Sequence, residues 1–219
     1  MRPAGDESEA RHPAGATGSM MQSELDLASL MASRLCHDIV GPVGAIQNGL
    51  ELMAEDESMA EMAMDLIKKS AHQASAKLQY ARMAYGAAGG AEMLDPAEAG
   101  RLTGELFKGE RASMDWTWSG PAAPRIPVKL AMLLATFALG AVPRGGTVTI
   151  AAEGEGVVVT AAGDTLRSPP FLDILTGGGE ITDPRATQAK MIEMLAASGG
   201  LRIDVTSDGA SMVLRTVLA

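Results

Sequence analysis

The stretch Ser33-Arg34-Leu35-Cys36-His37-Asp38-Ile39-Val40-Gly41-Pro42-Val43-Gly44-Ala45-Ile46-Gln47-Asn48 decides how this chain folds. Around it, apolar or small residues fall at Ala28, Ala32, Leu35, Ile39, Val43, Ile46, Leu50 and Met53, in steps of three and four. Such steps draw one stripe along a helix, and the extra four-step between Ile39 and Val43 is a stutter in a heptad-like seam. Pro42 sits at the stutter. It deprives the carbonyl of Asp38 of its helical donor, yet the seam resumes in register beyond it. That register favours one kinked helix from Ser23, which with Asp26 resembles a helix-start box, to about Ala54 over two helices broken at the proline.

With about 100° of rotation per residue, His37 lies opposite the seam and faces solvent, sharing its side of the helix with Ser33, Arg34, Gly41, Gly44 and Asn48. Two glycines weaken a helix by about 1 kcal/mol each. Here they leave bare backbone beside the histidine, where another protein can come close. A turn at Asp56-Glu57-Ser58 follows, and Ser58 with Glu61 forms a capping box for a second helix to Tyr85 striped by Met59, Met62, Leu66, Ile67, Ala74, Leu78 and Ala81. The short connection makes an antiparallel hairpin, and one hairpin cannot hide so wide a seam. A homodimer with a four-helix bundle is therefore expected.

The whole chain of 219 residues suits one compact domain plus an appendage. At 47% hydrophobic and 21% charged residues it can bury a core. Only 3% of residues are aromatic, and 18 basic residues stand against 27 acidic ones for a formal charge of -9, so neither nucleic acid nor an anionic membrane is an expected partner. A single Cys excludes an internal disulfide framework, and three scattered His argue against a metal site. Residues 1–22, with Pro3, Pro13 and three glycines, read as a flexible tail without the apolar core of a signal peptide, and Gly18-Ser19-Met20 is compatible with a cloning scar. The longest apolar run, 131–142, is too short for a membrane span. A cytoplasmic protein is expected.

After a linker at 86–90, residues 92–219 carry a second pattern. Asp95-Pro96-Ala97-Glu98 opens a helix to about Lys108; a strand covers 113–118; an apolar helix covers 128–142; strands cover 147–152 and 157–162; a helix covers 185–197; strands cover 201–206 and 211–218. The order is that of an α+β sandwich following the 23–86 hairpin.

His37-Asp38-Ile39-Val40-Gly41-Pro42-Val43 resembles the H-box of histidine kinases, H-[ED]-x-x-x-P-[LV]. The longer string from Arg34 to Ala45, with Asn48-Gly49-Leu50-Glu51-Leu52, is similar to the ChpT family of histidine phosphotransferases, over roughly Leu25 to the C-terminus. Pro143-Arg144-Gly145-Gly146-Thr147-Val148 and Ser198-Gly199-Gly200-Leu201-Arg202-Ile203 resemble segments of the kinase ATP-binding domain, but the nucleotide residues are replaced. Phe137 stands for the magnesium-holding asparagine, Ala161 for the adenine-binding aspartate, and Arg185-Ala186-Thr187 for the phosphate-loop glycines. Gly177-Gly178-Gly179 reads as a loop.

The resemblance implies a phosphorelay in which His37 takes a phosphoryl group from the receiver aspartate of a CckA-like hybrid kinase and passes it to CtrA-like and CpdR-like response regulators. His37 would be the nucleophile, because a neutral imidazole is free to attack phosphorus, and Asp38 would orient the ring or accept its proton. Docking would rest on Ser33, Arg34, Gly41, Gly44 and Asn48. Mg²⁺ would come from the receiver, with no ATP and no cofactor of the chain's own. Two alternatives stand beside it, an ATP-dependent histidine kinase and a receiver-binding adaptor that never carries phosphate. His72 lacks an acidic neighbour and a downstream proline, and is expected to be structural or exposed; Cys36 reads as a small filler at the seam's edge, and His12 belongs to the tail.

Overall fold

A computed structural model of the chain describes residues 14–86, 92–178, 181 and 183–219. Helix α1 runs unbroken over Ala14–Glu55 with Pro42 inside it. It starts within the segment expected as a tail, which corrects the boundary at residue 23: residues 14–22 hold no proline, and a helix already nucleated extends through them despite Gly15 and Gly18. His12 and the rest of 1–13 lie outside the described residues, as do 87–91, which hold most of the expected linker, and Gly179.

The turn after α1 is capped by Asp56 rather than Ser58. The Asp56 carboxylate accepts from the Ser58 backbone N–H at 2.9 Å, a short 3₁₀ turn spans Glu57–Met59, and α2 spans Ala60–Ala84. The expected capping box fails because the 3₁₀ turn consumes Ser58 before the α-helix begins. The two helices approach closely at Gly49. A Cβ there would stand 2.6 Å from Ile67 Cγ1 and 3.1 Å from the Ala63 carbonyl, so only glycine permits this approach.

The remaining elements are β1 (Met93–Leu94), α3 (Pro96–Phe107), β2 (Ala112–Trp116), β3 (Ala123–Pro124), α4 (Arg125–Ala138), β4 (Gly146–Glu153), β5 (Gly156–Ala162), α5 (Leu172–Leu175), α6 (Thr187–Ser198), β6 (Leu201–Ser207) and β7 (Ser211–Leu218). The main sheet has the order β2-β4-β5-β7-β6, with β2 parallel to β4 and every other pair antiparallel. Alternate residues Val148, Ile150, Val157, Val159, Ala161, Met212 and Leu214 are buried on the face that packs under α4 and α6. Helix α4 is apolar almost all round because sheet and helices enclose it; Val128, Leu130, Met132 and Leu134 are all fully buried. Three elements have no sequence signal. β1 and β3 pair over two residues each, too short for alternation to register, and α5 is a single turn.

The α+β domain packs on one side of the hairpin. Tyr80 on α2 is buried there, its hydroxyl donating to the Met132 carbonyl at 3.1 Å and lying 2.9 Å from Thr136 Oγ1. Burial holds this phenol well above the ordinary tyrosine range. Lys129 on α4 donates to the Gly86 carbonyl at the hairpin's end, and burial lowers the pKa of its amine.

Candidate functional site

His37 projects into solvent with 90% of its side chain exposed. Asp38 turns one carboxylate oxygen toward it, Oδ1 lying 3.6 Å from Nδ1, which leaves Nε2 away from the acid. Ser33 and Gly41 are exposed about one turn to either side of the imidazole, Gly44 is half-buried two turns on, and Asn48 is exposed about three turns on along the same helix. A Cβ added at Gly41 or Gly44 would meet nothing within 4 Å, so the backbone beside His37 is open to an approaching surface. Val40, 67% exposed, adds an apolar contact on the same side that the sequence pattern does not single out.

Arg34 departs from expectation. Helical spacing makes it a solvent-facing docking residue, but its side chain is only 27% exposed. Its Nη2 donates to Gln188 Oε1 on α6 at 2.9 Å, while its Nε lies 3.9 Å from Asp38 Oδ2. The partner is 154 residues away in the chain, so no local pattern announces it. Gln188 is itself fixed from within the second domain, its Nε2 donating to the Leu133 carbonyl at 3.0 Å and to Thr136 Oγ1 at 2.8 Å. Tyr85, half-buried, also faces this group; burial raises its phenol pKa and the Arg34 guanidinium acts in the opposite direction. Lys77 on α2 donates to the backbone carbonyl of Asp38 at 2.9 Å.

The other expected minor sites fall as follows. His72 is 63% exposed at the edge between the domains, 3.6 Å from Glu105, whose carboxyl is held low chiefly by its hydrogen bond to Lys108. Cys36 is exposed.

The resemblance sets Phe137, Ala161 and the Arg185 turn at the kinase nucleotide positions. Phe137 is buried in α4 and Ala161 in β5, and neither side chain carries a ligand atom. At Arg185 the backbone N–H bonds to Asp183 Oδ1 and the guanidinium grips the same carboxylate; the Ala186 N–H bonds to the Asp183 carbonyl. Two amides that a phosphate loop would present are thus already used. Among the described residues no group of three or more His, Cys, Asp or Glu side chains could hold a metal ion, and no helix is long and apolar enough to cross a membrane.

Comparison with known proteins bears directly on this geometry. The histidine phosphotransferase C-terminal domain family matches residues 96–211. The chain is 40% identical over 199 residues to the protein phosphotransferase ChpT of Brucella abortus (strain 2308), covering 87% of this chain and 95% of that one. It belongs to the histidine phosphotransferase family. A solved structure of a bacterial phosphotransferase superposes with a TM-score of 0.79 at 38% identity, covering 88% of this histidine phosphotransferase and 96% of that chain. A helical hairpin followed by an α+β domain is therefore the fold of the family member as a whole, and a phosphorelay is its setting, with receiver domains and response regulators as its partners.

Proposed function

We propose that His37 is the phosphoryl carrier of this phosphotransferase, with Asp38 as its orienting acid. The observation that carries this is an imidazole 90% exposed beside the open backbone of Gly41 and Gly44, with a carboxylate on its Nδ1 side only. The Nε2 lone pair attacks the phosphorus of a receiver's aspartyl phosphate; the P–O bond to that aspartate breaks as the N–P bond forms, and the receiver carboxylate departs. The Nδ1 proton stays on the ring, where Asp38 offsets the charge of the phosphohistidine. Transfer to a second receiver is the reverse displacement. The Mg²⁺ used in such transfers belongs to the receiver, and no ATP is bound, in keeping with Phe137, Ala161 and the engaged amides of the Arg185 turn. The donor is a CckA-like hybrid kinase and the acceptors are CtrA-like and CpdR-like regulators in the cytoplasm, docking over Ser33, Gly41, Gly44 and Asn48.

The working form is a homodimer. Leu25, Ala32, Cys36, Val43 and Leu50 form an exposed heptad-spaced stripe on α1, and Met64, Ala71 and Leu78 form another on α2. Each stripe lies about 80–100° round from the face its helix turns toward the other helix. Because the helices run antiparallel, equal rotations bring both stripes to one side of the hairpin. The second domain packs on the opposite side, through Arg34 and Tyr80. A second copy buries this apolar face as a four-helix bundle.

The test is transfer from a hybrid-kinase receiver domain preloaded with acetyl phosphate and Mg²⁺. Acid-labile, base-stable phosphate on the wild type and none on His37→Ala is expected; phosphate retained by His37→Ala would overturn the assignment.

A further inference from the structure

We infer that Gln188, acting through Arg34, is a positioning residue for phosphoryl transfer, so that the α+β domain holds the acid beside the nucleophile. The inference rests on His37 being the phosphoacceptor.

The side-chain amide of Gln188 has only one orientation available. The Leu133 carbonyl and Thr136 hydroxyl both sit on its Nε2 side, and a carbonyl can only accept, so the NH₂ must face inward and Oε1 outward. Gln188 is 7% exposed, which removes water as a competing partner. The outward Oε1 receives Arg34 Nη2 at 2.9 Å. That bond fixes the guanidinium one helical turn before Asp38, with Nε 3.9 Å from Asp38 Oδ2. Arg34 Nε is buried and makes no hydrogen bond, so this donor has Asp38 as its charged neighbour.

The two oxygens of Asp38 are thereby divided. Oδ2 is turned to Arg34, and Oδ1 is turned to His37 Nδ1. Dividing them turns the carboxylate so that its negative charge favours the ring proton on Nδ1, leaving Nε2 as the nucleophilic nitrogen. Without Gln188, Arg34 keeps Tyr85 as a partner but loses the bond that sets its reach, so it can take both Asp38 oxygens, and Nε2 is then the lone-pair nitrogen for only part of the time. An interdomain contact whose sole task was adhesion would have no reason to end on the acid next to the nucleophile; Tyr80 already anchors the domains elsewhere.

The experiment uses phosphoramidate as donor, so that receiver docking plays no part: its P–N bond breaks, ammonia leaves, and the N–P bond to His37 forms. Arg34→Met and Gln188→Met are each expected to slow phosphorylation of His37 about tenfold. The double variant is expected to be no slower than Arg34→Met alone, because both changes cut the same connection. Receiver affinity of Gln188→Met should stay within about twofold of wild type. Arg34→Met leaves the second domain's interior intact and so guards against a Gln188 variant that misfolds. Rates within about twofold of wild type for Arg34→Met, or losses that multiply in the double variant, overturn the inference while leaving His37 as acceptor. A wild-type chain that takes no phosphate on His37 overturns both.

Discussion

Lys77 on α2 donates its ammonium to the backbone carbonyl of Asp38, the carbonyl that Pro42 leaves without a helical donor. An α-helix bonds each N–H to the carbonyl four residues back, and proline has no N–H to give. The carbonyl left open beside His37 is therefore satisfied from the neighbouring helix. This ties the conformation of the H-box turn to the pairing of the hairpin.

A double-mutant cycle reads the contact. Lys77→Met should cost about 1–2 kcal/mol in chemical denaturation, since it leaves a part-buried carbonyl unpaired. In a Pro42→Ala background the same change should cost clearly less, because an alanine there would restore the N–H to the Asp38 carbonyl. Equal costs in the two backgrounds would show that Lys77 stabilises by packing alone.

Separate residues should govern chemistry and docking at the site. His37→Ala should abolish phosphate acceptance while receiver affinity, by calorimetry, stays within about twofold, because a solvent-facing ring contributes little packing. Gly44→Arg should lower receiver affinity about tenfold or more and reduce transfer in step, while helix content holds or rises. Undiminished affinity in Gly44→Arg would remove the glycine face from the docking surface.

The apolar face of the hairpin yields a prediction about assembly. Leu50→Glu places a charge in the α1 stripe and should convert a dimer at micromolar concentration to a folded monomer by sedimentation velocity, with far-ultraviolet helicity retained. Ile46→Asp should do more damage, because Ile46 is already half-buried within its own chain. A wild-type protein that sediments as a monomer would contradict the four-helix bundle.

Much of this architecture is legible in the spacing of residues. The three-four steps through Pro42 locate an unbroken helix, and the strands of the main sheet announce themselves by alternation and by glycine or Ser-Asp-Gly turns. The seam is legible only as one stripe. In the structure it divides, Ile39 and Ile46 half-buried while Val43 and Leu50 stay exposed, because a stripe's width does not say which part faces which neighbour. Arg34 escapes a reading from spacing for a related reason. Its angle on α1 is close to that of His37, but Gln188, 154 residues later in the chain, covers that flank, and helical arithmetic carries no information about it.

The second domain makes a prediction of absence. Calorimetry with Mg-ATP should give no heat of binding at micromolar protein, and Phe137→Asn alone should not restore any, since Ala161 and the Asp183-anchored turn at Arg185 remain. Micromolar affinity in the wild type would return the ATP-dependent kinase to consideration.

The central claim is that one nitrogen of His37 carries the phosphoryl group. Mapping of the phosphorylated residue by mass spectrometry under basic conditions, after incubation with a phosphorylated receiver, tests it most directly. The expected result is phosphate on the peptide containing His37, labile in acid and absent from His37→Ala. Phosphate on His72, or an unmodified His37 while the receiver keeps its label, would contradict it.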